Sequence, residues 1–178
     1  MNNQQLDSII REHADQIHND TLGRWQFDYF GRTLIVLTDE FNNRMRIITP
    51  VAQAEALDEE LLRTCMSANF DRALDARYAI NGEFVWSAFI HPLRELEVSQ
   101  VVDAMTQVAN LAVTFGMSFS SSGLTFGVEA SGRNRVNSGF NKATTQAIVR
   151  QYLPCPPSHQ HPALPLRRGF RWWTLRRS

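Results

Sequence analysis

Several features that mark common classes of protein are scarce or missing in this sequence. It has only two cysteines, Cys65 and Cys155, so no disulfide framework is indicated. Residues 1–10 lack the positive segment and the apolar run of a secretory signal. The longest uncharged stretch, residues 104–128, carries polar side chains throughout and is too polar to cross a membrane. We therefore expect a cytoplasmic protein.

The sequence also lacks the local motifs of the familiar enzyme classes. It contains no G-x-S-x-G segment, no phosphate-binding glycine loop and no pair of carboxylates in a motif context. We therefore expect a protein that is not an enzyme, with no catalytic residues, no cofactor and no small-molecule substrate.

Two groups of thiol and imidazole side chains need separate consideration. Cys65 and His91 would be a nucleophile and a base, but the helical spacing puts Cys65 on an apolar stripe, and His91 has no orienting carboxylate. Cys155, His159 and His161 supply only three ligands, whereas structural zinc requires four in a closed local fold. We predict no metal site.

Acidic side chains are concentrated in one part of the chain and are almost absent from the other. Residues 1–118 hold 9 Arg and 17 Asp+Glu, whereas residues 119–178 hold 8 Arg, 1 Lys and 1 Glu. Four prolines lie between Pro154 and Pro162, which excludes regular structure there. This asymmetry predicts an acidic domain, residues 1–118, followed by a basic, poorly ordered tail, residues 119–178.

The end of the predicted tail, RRGFRWWTLRRS, combines arginines with aromatic side chains. Arginine attracts phosphates, and aromatic rings stack on unpaired bases or lie at a lipid interface. This pattern leaves open a regulatory protein whose tail contacts nucleic acid or membrane. The candidate polyanion contacts are Arg167, Arg168, Arg171, Trp172, Trp173, Arg176 and Arg177.

The residue pattern of the domain predicts an α+β fold. A helix is expected from Gln4 to His18, followed by three strands, the last of which ends at Pro50. The carboxylates Asp58-Glu59-Glu60 favour the start of a second helix. A hairpin and an amphipathic helix ending near Gly116 complete the order α-β-β-β-α-β-β-α. This order fits an antiparallel sheet with helices on one face.

The hairpin raises the question of what covers the other face of the sheet. Asn81-Gly82 is the pair favoured at the centre of a type I′ turn. The following strand has apolar side chains pointing to both faces, although a strand with one solvated face should alternate with polar residues. We expect Phe84, Trp86 and Phe89 to belong to a surface for a second subunit or a client peptide.

Two segments carry a resemblance to a known family. RMRIITPV, residues 44–51, and residues 61–116 resemble the YbjN-like proteins, which are related in fold to the class I type III secretion chaperones of the CesT (Tir chaperone) type. The shared cues are L-L-x6-N at Leu61, Leu62 and Asn69, and the Pro-Leu-x-x-Leu entry to the last helix at Pro92, Leu93 and Leu96.

The resemblance implies a binding function. Chaperones of this type are small, acidic, cytoplasmic homodimers that hold an unfolded segment of a secreted effector on apolar surfaces. YbjN-like proteins have been described as sensory transduction regulators. From the resemblance we expect a bacterial homodimer that binds a protein or peptide client.

Overall fold

A computed structural model of the chain describes residues 1–116, 119–121, 124–126 and 148. These residues include three α-helices, a short 3₁₀-helix and eight strands. In chain order, they are α1 (Asn3–His13), β1 (Gln16–Thr21), β2 (Arg24–Tyr29), β3 (Arg32–Asp39), β4 (Arg44–Gln53), a 3₁₀-helix (Ala54–Ala56), α2 (Glu59–Asp71), β5 (Arg77–Asn81), β6 (Phe84–His91), α3 (Val98–Val113), β7 (Phe119–Ser121) and β8 (Leu124–Phe126).

Strands β1 to β6 form one antiparallel sheet in the order β1-β2-β3-β4-β6-β5. Strands that follow each other in the chain also pair in the sheet, except β4 and β5. Strand β4 pairs instead with β6, and α2 and β5 lie between these two strands in the chain. Strands β1 and β5 are therefore the edges of this sheet. Among the residues that the structure describes, β7 and β8 pair with each other as a separate two-stranded sheet, which the sequence pattern did not predict.

The main core lies between the sheet and the helices. The buried side of α1 contributes Leu6, Ile9 and Ile10, α2 contributes Cys65, and α3 contributes a long apolar stripe that includes Met105. These side chains pack against one face of the sheet, whose buried members include Trp25, Phe27, Leu34, Val36, Met45, Ile47, Val85 and Phe89. The predicted α+β class, with helices on one face of an antiparallel sheet, is confirmed.

The first helix is shorter than the sequence pattern suggested. Asn2 and Gln5 form a reciprocal capping box at its start, and the helix ends at His13 instead of His18. The chain from Gln16 then forms β1, which pairs with β2. Ile17 still packs against the core. Its position therefore fits both the helical spacing seen in the sequence and the strand seen in the structure.

Strand β4 does not stop at Pro50. Pro50 pairs with Trp86 of β6, and the register then shifts between Pro50 and Ala52. Proline cannot donate a ladder hydrogen bond, so it is tolerated inside a sheet where a bulge relieves the pairing. The strand continues beyond this irregularity to Gln53.

The hairpin between β5 and β6 turns one residue later than the sequence predicted. Asn81 pairs with Phe84, so Gly82 and Glu83 occupy the two central positions. Gly82 has φ of 60°, while Asn81 and Glu83 are not among the residues with positive φ. Glycine at the first central position with positive φ is the requirement of a type II′ turn, and the type I′ expectation for Asn81-Gly82 is wrong.

Candidate protein-binding surfaces

Strand β6 divides the three predicted contact residues between the two faces of the sheet. Phe89 is 5% exposed and lies in the main core on the helix side, together with Val85. Phe84 and Trp86 lie on the opposite side, because side chains alternate along a strand. We call that side the second face. Five of its apolar strand residues form one cluster, namely Ile35, Leu37, Ile48, Phe84 and Trp86, and Ile90 lies on the same side near the end of β6.

The second face is partly covered by the chain itself. Ile148 is helical, only 4% exposed, and packs in one cluster with Ile35, Phe84 and Trp86. The rings of Phe84 and Trp86 meet edge to face, with centroids 6.4 Å apart. The Trp86 indole Nε1–H donates to the backbone oxygen of Asn81 at 3.2 Å. The polar atom of the indole is therefore satisfied within its own hairpin, which leaves an apolar ring surface toward Ile148.

The rest of the second face is more open and carries positive charge. Arg46 on β4 pairs across the sheet with Leu37 and with Ile90, and the Ile90 side chain is 51% exposed. A cleft of about 690 Å³ adjoins it, lined by Leu37, Thr38, Asp39, Asn42, Arg44 and Arg46. Asp39 accepts hydrogen bonds from Asn42, which lower the pKa of its carboxyl group. An apolar strip with two exposed arginines beside it can accept an extended segment that carries both apolar and acidic side chains.

Helix α2 provides a second apolar surface, which the sequence analysis did not identify. Leu62 is 38% exposed, Met66 is 51% exposed and Phe70 is 93% exposed. These residues are spaced four apart and therefore lie along one side of the helix. We call them the α2 stripe. The packing of the helix shows that its buried side is narrow and centred on Cys65, which leaves Leu62 partly exposed.

Two polar residues fix the ends of α2. Asp58 caps the start, where its Oδ1 accepts from the Leu61 N–H at 2.7 Å. Near the other end, the Tyr78 N–H donates to Asn69 Oδ1 at 2.7 Å, and Asn69 Nδ2 donates to the Tyr78 carbonyl at 3.1 Å. Asn69 thus satisfies the outward backbone groups of an edge strand. The asparagine of the L-L-x6-N motif has a structural role at this position.

The geometry does not support a nucleophile at Cys65. The thiol lies in the core, and burial raises its pKa to about 11, so it remains protonated at neutral pH. His91 lies at the end of β6, stacks on the Phe89 ring, and its Nδ1 donates to the Pro92 carbonyl at 2.8 Å. Cys65 therefore acts as a small apolar side chain, as the sequence predicts.

Other predicted features lie outside the described part of the chain. They are Cys155, His159 and His161, and the candidate polyanion contacts Arg167, Arg168, Arg171, Trp172, Trp173, Arg176 and Arg177. Within the described ranges, no three His, Cys, Asp or Glu side chains come together as metal ligands. None of the helices in those ranges has the length and apolar character needed to cross a bilayer.

Comparison with known proteins identifies similar folds. No protein-family model and no curated protein matches the sequence. A chain of the HopA1–SchA chaperone–effector complex matches with a TM-score of 0.50 at 13% identity, over 63% of this chain and 90% of that chain. The likeness is one of fold.

Two further structures match with lower scores. A chain of the ExsC–ExsE complex has a TM-score of 0.48 at 13% identity, over 63% of this chain and 92% of that chain. A chain from the complex of the Yersinia pestis type III secretion chaperone SycH with a fragment of YscM2 has a TM-score of 0.47 at 12% identity, over 64% and 98%. At these low identities, the matches show a similar fold and give no evidence of a shared function.

Proposed function

We propose that this chain is a non-enzymatic protein-binding module that holds a segment of a client protein on the second face of its sheet. The observation that carries the proposal is the combination on that face of exposed Ile90 with the exposed arginines Arg44 and Arg46. Apolar side chains give an extended client its affinity, and the arginines select acidic residues beside them. The fold shared with a chain of a chaperone–effector complex supports this assignment.

A second copy of the chain is the proposed partner of the α2 stripe. Leu62 and Phe70 lie equally far along the helix on either side of Met66. Two antiparallel copies of α2 can therefore place the Leu62 of each copy against the Phe70 of the other, with the two Met66 side chains at the centre. A two-fold interface requires such a self-complementary patch. The exposed apolar side chains of the stripe favour this arrangement.

The proposal extends to the family and the location of the protein. We assign the chain to the YbjN-like proteins on the motif at Leu61, Leu62 and Asn69, and on its fold. The hydrogen bonds between the Asn69 side chain and the Tyr78 backbone explain why the motif needs an asparagine, because they fix the end of α2 to the edge of the sheet. We place the protein in the bacterial cytoplasm, where a client would be bound before its export or during regulation.

Site-specific photo-crosslinking in the native cell tests the client surface. A benzophenone-bearing amino acid at Ile90 should give a discrete adduct with another polypeptide, because this position lies beside the proposed binding strip. The same amino acid at Phe41, which is 95% exposed in the turn between β3 and β4, is the matched control. Equal adduct patterns at both positions would reject the second face as the client surface.

A further inference from the structure

The cluster around Ile148 joins two parts of the chain that are far apart in sequence. Its other buried members, Ile35, Phe84 and Trp86, belong to β3 and β6. The described helices α1, α2 and α3 all contribute to the core on the other face. Among the described residues of this cluster, Ile148 alone comes from outside the sheet. Its side chain occupies a position on the second face where a client residue would bind.

The strands hold the socket for this side chain in place. Ile35 is fully buried in the middle of β3, which pairs with strands on both sides. The Phe84 and Trp86 rings are packed edge to face, and the Trp86 indole is bonded to Asn81. Since no polar atom of the socket depends on Ile148 in these contacts, the socket accepts an aliphatic side chain without regard to its source.

We propose that Ile148 is an internal occupant of the client surface, and that a client binds by replacing it with an aliphatic side chain of its own. This inference rests on the proposed function. Because the occupant is part of the same chain, an external segment competes with an intramolecular contact. The fraction of molecules with an empty socket then sets the apparent affinity for a client.

Charge explains how a client outcompetes the internal occupant. Arg46 is two residues from Ile48 on β4 and pairs with Leu37, and both of these apolar residues pack against the socket cluster. Arg44 lies one position further along the same side of β4. The chain has no Asp or Glu after Glu129, so the sequence around Ile148 has no side-chain carboxylate for these arginines. A client with an acidic residue near its aliphatic anchor gains contacts that the occupant lacks, and only such a difference can shift the equilibrium.

The probe for the test is a labelled synthetic peptide of residues 143–152, ATTQAIVRQY. Fluorescence anisotropy measures its binding to three full-length proteins: wild type, Ile148→Asp and Val98→Asp. Val98 is 56% exposed in the first turn of α3, so its variant adds the same charge away from the socket. We expect Ile148→Asp to bind the peptide at least about tenfold more tightly than the other two proteins, because its socket is vacated.

A second peptide tests the role of charge. The Arg150→Glu version of the peptide should bind Ile148→Asp more tightly than the original does. This gain should disappear when Arg44→Gln and Arg46→Gln are added to the protein. A gain that persists in the added variants would overturn the assignment of the arginines.

The position of Ile148 is checked independently in the wild-type protein by NMR. Its δ1 methyl group should show a nuclear Overhauser effect to the Trp86 indole ring, assigned with Ile148→Val. Absence of this effect, or equal peptide binding by wild type and Ile148→Asp, would overturn the inference. Either result would leave the client surface to be judged by the Ile90 cross-link, so the two failures are distinguishable.

Discussion

At the scale of single residues, side-chain hydrogen bonds join helices and strands that do not bond to each other through their backbones. The clearest case is Asn69, whose side-chain amide bonds both the N–H and the carbonyl of Tyr78. Tyr78 lies on the edge strand β5, and its hydroxyl donates to the Leu111 carbonyl at 2.6 Å. Through Asn69 and Tyr78, α2, β5 and α3 are joined around the same corner of the core.

The Asn69 contact yields a prediction for stability. Asn69→Ala removes two hydrogen bonds to the backbone, each worth about 0.5–1.5 kcal/mol, so the free energy of unfolding should fall by about 1–3 kcal/mol. Urea denaturation followed by circular dichroism measures the change. Asn110→Ala is the control, because Asn110 is exposed on α3, and it should change stability by less than about 0.5 kcal/mol. A similar loss in both variants would contradict the role assigned to Asn69.

At the scale of elements, α2 differs from the other helices. Helix α3 buries most of one side, including Val101, Met105 and Val108, whereas the buried position of α2 is Cys65. The flank of α2 next to Cys65, centred about 100° round the helix at Met66, carries the apolar α2 stripe in exposed positions. A soluble monomer rarely leaves such a row uncovered, which is why we assign it to contact with a second copy.

Changing the centre of the α2 stripe tests this assignment. Met66→Glu places a charge near the two-fold axis of the proposed dimer, where it would meet its own copy, and should give a monomer. Multi-angle light scattering of the full chain at tens of micromolar should report about twice the monomer mass for wild type. Ser67→Glu, on the next and also exposed residue, should leave the dimer intact. A monomeric wild type would reject the interface.

At the scale of the whole molecule, charge is separated along the sequence. The predicted domain of residues 1–118 carries a large excess of carboxylates, and residues 119–178 carry a matching excess of arginine. The division at residue 118 stays a prediction. The burial of Ile148 against Phe84 and Trp86 shows that at least one residue beyond this division packs on the sheet. Removal of everything after residue 118 would therefore expose an apolar surface.

The basic end of the chain carries a separate prediction. Replacing Arg167, Arg168, Arg171, Arg176 and Arg177 with Gln should abolish binding of a labelled single-stranded oligonucleotide. In wild type this binding should weaken steeply between about 50 and 200 mM salt, because each arginine–phosphate contact releases counterions. The control carries Arg44→Gln and Arg46→Gln and should retain binding. Wild-type binding that is insensitive to salt would contradict an electrostatic contact.

The sequence by itself determined the class and order of most elements. The amphipathic pattern that ends near Gly116 predicted α3, because a spacing of three and four between apolar residues arises from the local geometry of a helix. The carboxylates Asp58-Glu59-Glu60 predicted the start of α2, because their interaction with the helix dipole is local too. The structure adds that Asp58 is the cap of this helix. The strand β1 and the path of β4 through Pro50 depended on pairing partners, and the local pattern missed them.

Only the tertiary structure decided which surfaces are available. The pattern of β6 showed apolar side chains on both faces, but the packing of α3 assigned Phe89 to the core and left Phe84 and Trp86 on the second face. The exposure of Met66 and Phe70, and the burial of Ile148, depend on contacts between residues far apart in sequence. The hydrophobic effect is non-directional, so an apolar side chain can be buried by a residue from any part of the chain. The periodicity of apolar residues therefore shows which side of a helix or strand is apolar, but not which residues cover that side.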